Sequence, residues 1–144
     1  MSIRKFATPL LLLAGLLSGC GAKDDPQARL EAAVQQLQDN IEGKKTAAVL
    51  DQLHGEFRAQ QTNDRDWARR TMTLLFLRHN TVKVLALNNN SRVDPTYRDK
   101  GYTDAQVALT GAEGLIPDSA RHYAVKLEWW QDDDEWKLAR LQWQ

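Results

Sequence analysis

The imidazoles come first, because a cluster of them would announce metal or acid–base chemistry. The chain has three, His54, His79 and His122, in three separate segments. No cysteine or second histidine stands at ligand spacing from any of them, so no metal centre is expected. His54 follows Asp51 by one helical turn, a spacing that allows a hydrogen-bonded dyad. A plain helix-end pair ahead of Gly55 is the expectation instead. The acidic run Asp132-Asp133-Asp134-Glu135 offers oxygen ligands, but a calcium loop spaces its acids around a glycine and this run does not. A solvated hairpin turn accounts for it. Arg65, Arg69 and Arg70 form a basic stretch that reads as a solvated helix face, with only a weak pointer to an anionic lipid or glycan. A phosphate-cradling Gly-rich loop, HExxH and GxSxG are all missing from the sequence, so neither a cofactor nor a set of catalytic residues is expected.

The remaining nucleophile is the single cysteine, Cys20. It is preceded by Leu17-Ser18-Gly19, by an apolar run from Phe6 to Leu17, and by a basic start containing Arg4 and Lys5. That run is too short for the roughly 20 residues that span a bilayer, and suits a signal-peptide core. Leu17-Ser18-Gly19-Cys20 resembles the lipobox of bacterial lipoproteins, which implies cleavage after Gly19 and a thioether-linked lipid on Cys20. Such a lipoprotein carries several acyl chains, and two or more hold a protein stably at a membrane. Gly21 stands where Asp is the familiar inner-membrane retention signal. The resemblance therefore implies a cell-envelope protein anchored at the outer membrane and facing the periplasm. Residues 1–19 are expected to be removed, and residues 20–26 to form the lipidated cysteine and a short tether. No disulfide can form within a chain that has one cysteine.

Cleavage also changes the charge. The full chain balances 19 basic against 19 acidic groups. Loss of Arg4 and Lys5 leaves 17 basic groups against the same 19 acidic ones. A mildly acidic domain of this kind is not expected to bind nucleic acid.

From residue 27 the patterning describes one domain, 27–144. Leu30, Val34, Leu37 and Ile41 recur at helical spacing behind Pro26 and ahead of Gly43. A shorter helix is expected over residues 44–53. Phe57 then reads as a plug on a connecting segment, and Asn63-Asp64-Arg65-Asp66 supplies an N-cap and first-turn acids for a third helix running to about Arg78. The expected inner stripe of that helix is Trp67, Thr71, Leu74, Leu75 and Arg78. Beyond Asn80 the period changes from 3.6 to 2, with strands expected over 81–87, 104–110, 121–130 and 135–142. Short connections imply antiparallel pairing, and helices followed by a meander imply an α+β fold with the helices on one sheet face.

Four of the five tryptophans crowd into residues 129–143. Trp129 and Trp130 are adjacent, so they must point to opposite faces of their strand. Trp136 and Leu138 are out of phase with Leu141 and Trp143, and a β-bulge near Ala139 would bring all four to one side. Phe57, Trp67, Tyr123, Trp129, Trp130, Trp136 and Trp143 are thus the candidates for a pocket or an interface. Trp130 is the best placed of them to lie outside the core.

Two blocks carry a family resemblance. Gly114-Leu115-Ile116-Pro117, Tyr123 to Trp129, Glu135-Trp136-Lys137-Leu138 and Leu141-Gln142-Trp143 form the first. Leu53 to Phe57 with Asp64-Arg65-Asp66-Trp67 form the second. Together they resemble NTF2-like (SnoaL-like or cystatin-like) proteins over residues 27–144. The resemblance implies a cone, with three N-terminal helices packed on a curved antiparallel sheet around a pocket, and sheet-to-sheet dimers. It also admits two kinds of function. One is a non-enzymatic binding module for a small apolar ligand, or for a protein partner reached through the sheet face, either a second copy or another envelope protein. The alternative is an isomerase-, dehydratase- or hydrolase-like enzyme working inside the cone.

Overall fold

A computed structural model describes residues 25–111, 114–115 and 123–144. The expectations placed on Leu17, Ser18, Gly19, Cys20 and His122, and on most of the 112–122 loop, lie outside these residues.

Helix α1 spans Pro26–Glu42, with Asp25 as N-cap accepting the Gln27 amide at 3.0 Å and Pro26 in the first turn. Both features satisfy or remove donors that a helix start leaves unpaired. Helix α2 covers Thr46–Gln52 and α3 covers Arg65–Arg78, the latter capped by Asp64 through the Trp67 amide. The strands are β1 (Leu53–Ala59), β2 (Val82–Ala86), β3 (Asn90–Val93), β4 (Lys100–Gly111), β5 (Gly114–Leu115), β6 (Tyr123–Asp132) and β7 (Glu135–Trp143). They form one sheet in the order β1-β7-β6-β4-β2, with β3 and β5 also paired to β4.

Two expectations need correction. The sheet is mixed rather than antiparallel, because β1 runs parallel to β7. The three helices do not all precede the strands, since β1 lies between α2 and α3. The segment read as a connector carries a period of two in Leu53, Phe57 and Ala59. All three are buried, Phe57 to 1% exposure. His54-Gly55 reads as a helix stop and masks that alternation. The connection from β1 to β7 runs through most of the molecule, so a parallel edge is sterically free to form.

The bulge lies where the period breaks. Glu128 pairs with Arg140 and Trp129 pairs with Leu138, leaving Ala139 as the extra residue on β7. As a result Trp136, Leu138, Leu141 and Trp143 all join the core cluster, and Ala139 itself is fully buried. Opposite them are Leu30, Leu37, Val49, Leu53, Phe57 and Trp129. Each fully buried side chain of this size contributes about 1.5–3 kcal/mol. The α1–sheet approach is close, and a Cβ on Gly101 would come within 2.7 Å of Leu30 Cδ2.

Helix α1 also ties down the sheet's free backbone. The Gln27 side-chain amide donates to Ser91 O at 2.7 Å and accepts from Val93 N at 3.0 Å. Toward its other end, Gln38 donates to Val84 O at 3.1 Å while Glu42 accepts from Val84 N at 2.9 Å. These side chains take the place of a neighbouring strand along β3 and β2, where unpaired groups would otherwise invite another chain.

On α3 the inner stripe differs from expectation. Ala68 is buried and Met72 packs on the core, whereas Thr71 and Arg78 are exposed and Leu74 is 54% exposed. Its C-terminus is held by Lys44, whose ammonium donates to Phe76 O and His79 O. This contact satisfies carbonyls that the helix end leaves open.

Candidate functional site

Strand register separates the seven aromatic candidates. Gly101 pairs with Trp129, Thr103 with Leu127 and Val107 with Tyr123, so Tyr123 and Trp129 share the helix-covered face. Trp129 is completely buried and its indole N–H donates to Thr103 Oγ1 at 3.1 Å. Trp136 is buried beside α1, donating to Pro26 O at 3.1 Å. Trp67 and Trp143 stack at 6.0 Å between centroids, and Phe57 sits in the core. Six of the seven therefore lie on the side of the helices.

That covered face carries little acid–base chemistry. Its described positions on β4 and β6 are Gly101, Thr103, Ala105, Val107, Leu109, Tyr123, Val125, Leu127, Trp129 and Gln131. They include no carboxylate and no imidazole. The polar residues that are buried outright, Asn40, Gln52 and Thr103, are neutral; Asn40 donates to Gln52 at 2.8 Å, and Gln52 donates onward to Ala33 O at 3.2 Å. Such a pair satisfies buried amides and fixes the α1–α2 packing.

Trp130 alone faces the other way, onto the open side of the sheet, and it is enclosed rather than bare. His54 meets it edge-on at 4.9 Å, and the Arg140 guanidinium lies 4.7 Å from its ring centroid. Lys100 approaches at 5.7 Å, and its indole N–H donates to Glu128 Oε1 at 2.7 Å. Cations are held over an indole face by its quadrupole.

The open face has a pattern that the sequence reading did not isolate. One row crosses five strands: Arg58, Arg140, Glu128, Tyr102 and Arg92, each opposite the next. A second row runs Gln142, Lys126, Asp104 and Asn90. Between them lies an open depression of about 530 Å³ whose lining contains four cations, Arg58, Arg92, Lys126 and Arg140, against Asp104 and Glu128. Three of these six charges are already matched. Arg92 pairs with Asp104 at 2.7 Å, and Lys100 from the rim reaches Glu128 at 4.0 Å. Burial, with Glu128 and Asp94 nearby, raises the Tyr102 phenol above its usual range and keeps it protonated. Asp94 lies below the usual carboxylate value because the Tyr97 and Thr96 amides donate to it. The signal for this face was present as a period of two in Lys126-Glu128-Trp130 and Tyr102-Asp104. Its continuation to Arg140 depends on the bulge, and to Arg58 on the unrecognised β1.

The other residues singled out for chemistry are dispersed. Asp51 and His54 form no dyad, because His54 lies on β1 with Nδ1 accepting the Glu56 amide at 3.0 Å, while Asp51 O accepts from Lys137 at 2.6 Å. The acidic run is the β6–β7 turn, with Asp133 and Asp134 both at positive φ. Two such residues define the tight turn whose twist suits a hairpin. Among the described residues no group of three or more His, Cys, Asp or Glu is placed to hold a metal ion. Arg69 pairs with Asp66 at 2.7 Å, and Arg65 donates to Leu50 O at 3.1 Å. No helix among the described residues is long and apolar enough to cross a membrane.

This geometry has many counterparts among solved structures. A protein with a cystatin-like fold from Nostoc punctiforme aligns with a TM-score of 0.61 at 10% identity, over 80% of this chain and 86% of that one. An NTF2-like protein from Cytophaga hutchinsonii gives 0.61 at 11%, over 78% and 92% respectively. Bd1075 of Bdellovibrio bacteriovorus gives 0.67 at 13%, over 80% of this chain but only 40% of its own length. At these identities the likeness establishes the fold, an NTF2-like or cystatin-like α+β domain. No family model matches the sequence, and no curated protein does.

Proposed function

We propose that the chain is a lipid-anchored protein of the bacterial envelope, held by Cys20 at the periplasmic side of the outer membrane, whose domain works as a non-enzymatic binding module. The anchor rests on the basic start, the apolar run and Leu17-Ser18-Gly19-Cys20. One observation carries the binding role. The ionisable side chains gather on the open face of the sheet around the depression, whereas the covered face of β4 and β6 presents neutral groups. General acid–base catalysis needs a titratable group within reach of the substrate, and the described positions of those two strands would offer a pocket between helices and sheet the Tyr123 phenol but no carboxylate or imidazole. The open face is also where a second copy or another envelope protein would dock.

Envelope fractionation tests the anchor: the natural chain should sediment with outer membranes and Cys20→Ser should appear in the soluble periplasmic fraction. Equal distribution of the two would remove the anchor. Photo-crosslinking in intact cells tests the face, with a probe at Gln142 expected to give a defined adduct and a probe at Thr73, on the outer side of α3, expected to give none. Equal labelling from both positions would remove the face from the reading.

A further inference from the structure

The cross-strand row contains a conflict that the chain does not itself resolve. Arg58 and Arg140 stand directly opposite one another on β1 and β7, and like charges in that relation destabilise a sheet. Neither guanidinium forms an ion pair among the described residues. Arg58 donates through Nη1 to Phe57 O at 2.7 Å. Arg140 donates through Nη1 to Glu56 O at 2.7 Å and to Ala139 O at 2.8 Å. The field of Arg58 is felt at Asp64, where it helps hold that carboxyl low behind the larger effect of the Trp67 amide, yet the two form no ion pair. Lys126, two residues before Glu128 on the same face, has no hydrogen-bond or ion-pair partner among the described residues, because Asp104 is taken by Arg92. Three cations thus line one depression whose two carboxylates, Asp104 and Glu128, form their ion pairs with Arg92 and Lys100 instead.

The two arginines are also preorganised. Each is pinned to the main chain through one Nη1, and Arg140 is further held against the Trp130 ring at 4.7 Å. The Nε and Nη2 groups of both remain without a partner among the described residues. A guanidinium fixed in this way has its remaining donors set for bidentate contact with a planar or tetrahedral oxyanion, at reduced entropic cost. The volume of about 530 Å³ is within the usual range for a small-molecule site.

We propose that the open-face depression is an oxyanion site, in which Arg58, Arg140 and Lys126 hold a carboxylate or phosphate group carried by a free solute or a lipid headgroup. It rests on reading the open face as the binding surface, and not on the anchor. Two sources share this chemistry, and separate titrations distinguish them. The full chain in neutral detergent micelles is titrated at low ionic strength with citrate and with inorganic phosphate, following amide and indole resonances. The Cys20→Ser chain, which has no lipid to insert, is tested for co-sedimentation with phosphatidylcholine vesicles with and without phosphatidylglycerol. Saturable shifts at Arg58, Lys126, Arg140 and the Trp130 indole assign a free solute. Binding to the anionic vesicles alone assigns a headgroup.

In whichever arm binds, Lys126→Gln and Arg58→Gln should each weaken affinity by about tenfold, the scale of one charge-assisted hydrogen bond. Lys83→Gln, a cation elsewhere on the sheet, should leave it unchanged. Failure of all arms to saturate overturns the proposal, as does equal weakening by Lys83→Gln, which would mean diffuse attraction. The crosslinking contrast between Gln142 and Thr73 uses no anion, so loss of this site and loss of the binding face are read separately.

Discussion

Gly101 shows how a single hydrogen sets the spacing between layers. It lies on β4 beneath α1, and an added Cβ would meet Leu30 Cδ2 at 2.7 Å. Leu30 is completely buried, so it has no free space into which to rotate. Gly101→Ala should therefore cost about 1–3 kcal/mol through overpacking, read as a lowered urea midpoint at unchanged slope. A midpoint equal to that of the natural chain would show that α1 can lift away without cost. Neighbouring Thr103 has the complementary role: its hydroxyl receives the Trp129 indole and contacts Ser91 Oγ at 2.9 Å. At this scale the sequence is informative about type and less so about partner. Trp129 and Trp130 had to diverge because strand neighbours alternate, and they do. That Trp130 would be enclosed by His54 and Arg140 was not legible, because both partners come from strands whose positions depend on long-range pairing.

The bulged strand β7 is the element that turns a mismatched sequence into a core. Ala139 is the inserted residue, and the inward phase is reset after it. Deleting Ala139 would remove the extra residue and leave Trp136, Leu138, Leu141 and Trp143 in one unbroken alternation on the inner side, since strand neighbours alternate between faces. Loss of the buried Ala139 methyl and of the local bend should cost about 1 kcal/mol. The expected result is a retained near-ultraviolet tryptophan signal and a cooperative melt at a slightly lowered midpoint; loss of both would disprove the phase reset. The bulge was readable in advance because two tryptophans and two leucines could share one side in no other way. The strand β1 was not. Its Leu53, Phe57 and Ala59 are separated by His54-Gly55, and its partner β7 begins 82 positions after Leu53, beyond any local pattern. The α3 stripe was misjudged for a related reason. Leu74 and Leu75 satisfy helical spacing equally, and only the packing of Met72 on the core selects the face that turns inward.

For the whole molecule, the layered plan of helices on a sheet could be read from the change in period at Asn80, while the mixed character of the sheet could not. Parallel pairing arises only when an early strand meets a late one, and nothing local marks that event. The candidate binding face was illegible for the same reason: Arg58, Arg140, Lys126 and Arg92 belong to four different strands, and only the assembled order brings them into adjacent rows.

The parallel contact between β1 and β7 also sets a schedule. Residues 53–59 are made early, yet among the described residues their strand partner is residues 135–143. Leu30 and Phe57 likewise belong to a cluster completed by Trp129, Trp136 and Leu138. Until the last dozen residues emerge, the first half has helices without a core, and isolated short helices are marginal in water. A chain ended at Gln131 should therefore show only weak helical circular dichroism and no cooperative melt. Contacts this distant in sequence also slow folding once the chain is complete. The polypeptide thus stays pliable until β7 has been made and commits to its shape only when that strand closes against β1.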